Sequence, residues 1–299
     1  MARPPFAEVV KDAQQRGKLI LMDGPMGTEL MRSGLDPTVS STLAWNLSHP
    51  DAVQVVYEDY VNAGAEVLLT NTFQAHLSYL RGEENSREAV TAAYDHTRVP
   101  EWDHLYVVGD IGSAMGDDEQ SIAALMKCAL DLKICDALLF ETQMRLDRMR
   151  FLIAKTRLHE YAIPVMVSFS FSRLPRSDSC WVVESGEDSQ KMASDVATWA
   201  EQHRMRLLAL GTNCGSNLRL KDHLQIIKDY REKTSLPLLF KPGITDTLEC
   251  EFLPGELASM VKSFADAGVT LIGGCCGTTP SHIAAVRREI DKLGLNWQE

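Results

Sequence analysis

Positive charge is in short supply in this chain. Thirty lysines and arginines stand against 41 aspartates and glutamates, a net charge of −11, so no basic field is offered to a phosphate backbone and nucleic acid is not an expected partner. Long apolar runs are missing as well. None approaches the roughly 18 residues of a spanning helix, and the opening Met1-Ala2-Arg3-Pro4-Pro5-Phe6 has no apolar signal core. The expectation is a cytoplasmic protein with no membrane partner. Cysteine is sparse, seven in 299 residues, odd in number and too scattered for a disulfide framework; a reducing compartment leaves such thiols available for metal. There is no Gly-x-Gly-x-x-Gly after the first apolar run, no low-complexity linker and no internal repeat, which sets aside a doubly wound dinucleotide-binding sheet.

What the chain does have is an alternation. Short apolar runs predict strands at Lys18 to Asp23, Ala65 to Thr70, Leu105 to Asp110, Ala137 to Glu141, Ile163 to Phe169, Arg206 to Thr212, Pro237 to Lys241 and Val269 to Gly273. Between them run segments of helical period with their own punctuation. Ser48-His49-Pro50-Asp51 opens one whose apolar face is Val53, Val56, Tyr57 and Tyr60, and Gly64 closes it. The same grammar recurs from Pro254 to Gly268 and from Thr279-Pro280 to Gly294, the latter with Ile283, Val286 and Ile290 turned inward. Eight strands alternating with helices predict an α/β fold, a single-domain (β/α)₈ TIM barrel over residues 1–299.

Barrel enzymes keep their chemistry at the C-terminal ends of the strands, and the unusual residues fall there. Asp23-Gly24 ends the first strand, Asn71-Thr72 the second and Glu141-Thr142 the fourth; Cys214 follows the sixth, and Cys275-Cys276 the eighth. Three thiolates from two strand ends suit a Cys₃ zinc site with its fourth position open, which separates a catalytic zinc from a structural one. In an extended strand Cys275 and Cys276 point to opposite faces, so both reach one metal only if the backbone leaves β geometry, as Gly273, Gly274 and Gly277 permit. The alternatives are a structural zinc or a redox cluster for the cysteines, a helix cap for Asp23 or Glu141, and a loop-shaping role for Asn71 and Thr72. Cys128, Cys135, Cys180 and Cys250 lack a partner motif and are expected to be inert. His76, His223 and His282 sit singly on helical segments and are expected at the surface. Arg173 to Ser179 reads as an exposed loop on the catalytic face.

These motifs carry a resemblance. Asp23-Gly24-Pro25-Met26-Gly27-Thr28-Glu29-Leu30, Gly64-Ala65 leading into Thr70-Asn71-Thr72-Phe73, Phe140-Glu141-Thr142, Asn213-Cys214 and Gly273 to Pro280 together resemble the homocysteine-binding, zinc-dependent S-methyltransferase family over nearly the whole chain. Gly277 after the cysteine pair makes it look most like the homocysteine module of cobalamin-dependent methionine synthase. The resemblance implies that Cys214, Cys275 and Cys276 hold one Zn²⁺, the homocysteine sulfur taking the fourth place and attacking a methyl group to give methionine. It also implies that Glu141 pairs with the substrate ammonium, while the Asp23-Gly24 turn lies near the substrate carboxylate or its zinc side.

The departures from the family pattern matter equally. No Asp-x-His-x-x-Gly cobalamin signature and no folate barrel occur, so the expected donor is methylcobalamin on a separate corrinoid protein. Phe240-Lys241-Pro242-Gly243-Ile244 stands where relatives show a Pro-Asn-Ala-Gly turn, and Lys241 is expected as a cation at the mouth, one that would repel a sulfonium donor. Asp110 in Gly109-Asp110-Ile111-Gly112-Ser113 replaces a neutral residue. Two rivals to the corrinoid-dependent enzyme remain: a zinc and thiol methyltransferase with another donor (S-methylmethionine or a betaine-like compound) or another thiol acceptor, and a non-catalytic zinc-binding barrel.

Overall fold

The computed structural model describes residues 3–113, 118–155, 163–173, 181–183, 192–244 and 252–298. Its strands are β1 Ile20–Leu21, β2 Val67–Leu69, β3 Tyr106–Ile111, β4 Ala137–Gln143, β5 Val165–Phe169, β6 Phe171–Arg173, β7 Trp181–Val183, β8 Ala209–Cys214, β9 Leu238–Pro242 and β10 Val269–Ile272. Eight of them form one parallel sheet in the order β1-β10-β9-β8-β5-β4-β3-β2. Each coincides with one of the eight apolar runs. The remaining two, β6 and β7, pair antiparallel; the tract Arg173 to Ser179, read from sequence as a loop, begins with Arg173 inside β6, while its residues 174–179 lie outside the described residues, as do Cys180 and Cys250.

The sheet curls until its two edges meet. A parallel bridge joins Met22 to Val67, and the Asp23 and Glu66 amides donate to the Val67 and Leu21 carbonyls at 3.0 and 2.7 Å. Such short strands leave the seam with few ladder bonds, and two carboxylates complete it. Glu66 Oε2 accepts the Leu21 amide, and Asp23 Oδ2 accepts the Leu69 amide at 2.8 Å. Every backbone N–H in a buried sheet needs a partner; here side chains supply two of them. The result is the (β/α)₈ barrel expected from the alternation.

Because the strands are covered on both sides, most of their residues are buried, which is why they read as apolar runs rather than alternating ones. Ile20, Met22, Val67, Leu69, Val108, Leu139, Met166, Leu239 and Leu271 fill the barrel interior. The helix Phe6–Gln15 belongs to the same cluster through Phe6, Val9, Val10 and Ala13. It packs on Tyr106 at the N-terminal end of β3, with ring centroids of Phe6 and Tyr106 4.9 Å apart, and so plugs the barrel opposite the strand ends that carry the cysteines. The helix Pro50–Asn62 buries Val53, Val56, Tyr57 and Tyr60, and the helix Pro280–Lys292 buries Ile283, Val286 and Ile290. The stretch from Pro254 is two short helices, Pro254–Ser259 and Val261–Asp266, rather than one. Truncating the plug should be costly: Phe6→Ala is expected to lower unfolding free energy by about 3 kcal/mol, read as a lower urea midpoint, with the metal content of the opposite face unchanged.

Candidate functional site

At the C-terminal face the strands open onto a cavity of about 720 Å³ whose wall includes Gly24, Asn71, Asp110, Glu141, Lys241 and Cys276. The cysteines converge as the sequence implied. The ligand atoms of Cys214, Cys275 and Cys276 all lie within 4.8 Å of one another, and Cys214 Sγ is 2.8 Å from Cys275 Sγ. Four backbone features bring them there. Cys214, the last residue of β8, takes a left-handed conformation, φ 49°, which is uncommon for a non-glycine residue. The Cys275 amide donates to the Pro242 carbonyl at the end of the intervening β9, so the pair that follows β10 reaches the β8 cysteine across it. A Cβ on Gly274 would stand 2.1 Å from Thr278 Oγ1, and Gly277 has φ 79°, so the chain turns tightly around the cysteine pair.

Sequence reading had quoted Asn213 without giving it a task. Its Oδ1 accepts from the Thr142 amide and the Ser168 hydroxyl, and its Nδ2 donates to Thr142 Oγ1 and, at 3.6 Å, to Cys275 Sγ. Thr142 is also left-handed, φ 54°. One buried amide therefore ties the strained ends of β4 and β8 to a thiol in the turn after β10. Its position next to Cys214 was the only signal available in sequence.

Three soft sulfurs fit zinc. Sulfurs around a zinc at about 2.3 Å stand about 3.8 Å apart in tetrahedral geometry, so this trio needs little adjustment. Among the described residues no His, Asp, Glu or further Cys completes the group, which leaves a fourth position. Hydrogen bonds from Cys214 and then Cys275 hold the Cys276 thiol well below its ordinary value.

Beside the sulfurs lies a buried charge cluster. Lys241 Nζ donates to Glu141 Oε1 at 2.7 Å, with the two side chains 2% and 7% exposed. Lys241 is thus no free cation at the mouth. It is enclosed and neutralised by a residue 100 positions away in sequence. Asp23 and Asp110 are also buried, and each has one oxygen with no hydrogen-bond partner. Burial pushes the Asp23 carboxyl up to about 7, against the pull of Lys241.

The other expected residues divide. Asp23 does not cap the following helix, whose N-terminus has no side-chain cap; it is held by the Leu69 amide instead. Gly24 lines the cavity, and a Cβ there would meet the Tyr60 hydroxyl at 2.6 Å. Asn71 lines it too, with its amide committed to the Thr42 carbonyl and Asn46 Oδ1. Thr72 is fully buried, its hydroxyl bonded to Thr70 and the Asp110 carbonyl, so it shapes the loop. His76, His223 and His282 are buried rather than at the surface. His282 accepts the Thr279 amide as part of a helix cap, and burial drives His76 and His223 down to about 4, which keeps them neutral. Cys128 and Cys135 are buried and unpaired, as expected of packing residues.

Breaking the buried ion pair on one side strands a charge. Glu141→Gln and Lys241→Met are each expected to cost about 3 kcal/mol or more of stability, and the double variant clearly less than their sum, a pattern that urea denaturation of the three proteins would resolve.

Comparison with known proteins agrees with this geometry. The family model described as homocysteine S-methyltransferase matches residues 20–290. A methionine synthase of Mycobacterium tuberculosis is 27% identical over 92% of this chain, which spans only 25% of that protein. Homocysteine S-methyltransferase 1 of Saccharomyces cerevisiae is 24% identical over 98% of this chain and 99% of its own length. The metallated form of the homocysteine methyltransferase MmuM from Escherichia coli superposes with a TM-score of 0.69 at 23% identity, covering 94% of this chain and 99% of that one, a likeness of fold. With the barrel, the converging cysteines and a match over most of its length, the chain belongs to the homocysteine S-methyltransferase family.

Proposed function

We propose that this protein is a zinc-dependent thiol methyltransferase with homocysteine as its acceptor, and that the methyl donor is a methylcorrinoid carried on a separate protein. The observation that carries the thiol chemistry is the placement of three cysteine sulfurs within 4.8 Å of one another, with no fourth protein ligand among the described residues, against an open cavity. Cys214, Cys275 and Cys276 would hold the ion. When bound there, zinc supplies the positive charge that lets a thiol lose its proton near neutral pH.

The chain's own residues supply the rest. Asn213 and the left-handed turn at Cys214 fix the direction of the sulfurs. The carboxylates of Asp110 and Glu141 in the cavity wall, with buried Asp23 behind them, make an acidic floor that suits a substrate ammonium, and Gly24 and Asn71 line the wall beside it. An acceptor held at both ends presents its sulfur to an incoming methyl group in one orientation, which turns a bimolecular encounter into a positioned one.

The donor is supported by the likeness to methionine synthases. A second reading takes a small methylated sulfonium or quaternary ammonium as donor; the yeast homocysteine S-methyltransferase 1, matched over 99% of its own length, is named for its acceptor and leaves the donor open. Lys241 does not oppose this reading, since its charge is spent on Glu141.

The purified protein is expected to carry about one zinc per chain by elemental analysis, and Cys275→Ala to lose both zinc and turnover while its circular dichroism is unchanged. Full zinc retention with normal turnover in that variant would overturn the site. For the donor, homocysteine should consume methylcobalamin, followed by the absorbance change on demethylation, and consume it much faster when the corrinoid is protein-bound. Efficient turnover with S-methylmethionine or betaine, and none with any methylcorrinoid, would transfer the assignment to the second reading.

A further inference from the structure

Glu141 is the cavity carboxylate that the family resemblance assigns to a substrate ammonium, yet it already holds one. Lys241 Nζ sits 2.7 Å from Glu141 Oε1, and both side chains are closed off from solvent. A carboxylate so engaged has little left for a second cation. Two other acids face the same lysine. Asp23 has one oxygen fixed by the Leu69 amide, and its other oxygen has no partner, but its side chain is 2% exposed and lies behind the cavity wall. Asp110 shares the burial and the unpartnered oxygen but differs in its place. Its residue is part of the wall, it is 5% exposed, and its Oδ1 is enclosed without any partner.

We propose that Asp110 is the specificity-determining residue that receives the primary ammonium of an amino-acid thiol in this chain, Lys241 having taken Glu141 out of that role. The proposal rests on the thiol methyltransferase reading above. An enclosed carboxylate oxygen without a donor is costly unless a ligand completes it. The group that completes it must bring a hydrogen-bond donor, which an ammonium has and a sulfonium or quaternary ammonium lacks. That chemistry fits the acceptor rather than a methylated cation. The location fits as well, because Asp110 shares its cavity with Cys275 and Cys276. Burial, reinforced by the Glu141 charge, pushes the Asp110 carboxyl well up, a state that an arriving ammonium would reverse.

Zinc-loaded protein titrated calorimetrically with homocysteine and with 4-mercaptobutanoate, the same chain without the amine, separates the possibilities. Wild type should bind homocysteine at least about tenfold more tightly. Asp110→Asn should lose about ten- to a hundredfold in homocysteine affinity, the range of a charge-assisted hydrogen bond, with the amine-free thiol unaffected and the urea midpoint equal or higher, since a buried acid disfavoured by its surroundings has been replaced by a neutral isostere. Three results would overturn the proposal and leave the thiol reading intact: equal affinity of wild type for both thiols, parallel loss of both in Asp110→Asn, or unchanged homocysteine binding in that variant. Failure of wild type to bind either thiol would overturn both.

Discussion

One enclosed ammonium organises the mouth of this barrel. Lys241 is 2% exposed and carries its charge into a region where ionised groups survive only when matched. Glu141 matches it at 2.7 Å. Asp23 and Asp110 feel the same cation, so four ionisable side chains from β1, β3, β4 and β9 or their ends form a single electrostatic unit. Pairing Lys241 with Glu141 ties β4 to β9, on opposite sides of β5 and β8. Asp23 links the same unit to the barrel seam through the Leu69 amide. The seam and the cavity floor therefore share a residue, and a change of charge at the floor bears on closure of the barrel.

The sulfurs depend on backbone strain rather than on charge. Left-handed conformations at Thr142 and Cys214 are each expected to cost about 1 to 3 kcal/mol, and such geometry persists only where surrounding bonds hold it. Asn213 is the holder, with both ends of its amide used. The cost is reasonable at a site whose function needs three side chains from two non-adjacent strands aimed at one point. A relaxed β8 would continue its alternation and turn Cys214 away from Cys275.

Much of this was legible in the sequence because it is local. Eight apolar runs became eight parallel strands since a sheet buried on both faces leaves an unbroken apolar signature. The cysteines were found because glycines crowd them and because each follows such a run. What could not be read depended on distant partners. Lys241 looked like a free cation because Glu141 lies 100 residues earlier. Asp23 looked like a helix cap because its donor, Leu69, lies 46 residues on. His76, His223 and His282 looked exposed because a single histidine on a helix carries no sign of what packs over it; His282 is buried, with its Nε2 3.2 Å from the Phe252 carbonyl across 30 residues. Roles at the site itself, including those of Glu141, Asn71 and Gly24, came from resemblance, and geometry places these residues on the cavity wall.

The two departures from the family pattern, Lys241 and Asp110, are best understood together. Taken singly, a lysine in an enclosed cavity adds a charge that needs a partner, and an aspartate buried near Glu141 meets a repulsion that adds to the effect of burial in raising its own carboxyl. Taken together, they add one positive and one negative charge, so the formal charge of the floor is the same as with Asp23 and Glu141 alone. The exchange moves the unsatisfied carboxylate from β4 to β3 without altering the overall field. Long-range attraction for a cationic ligand is thereby kept, while the position of the hydrogen-bond acceptor changes. Since a field is indifferent to a ligand's shape and an acceptor is not, the exchange bears on where a cationic ligand would be held rather than on whether it is drawn in.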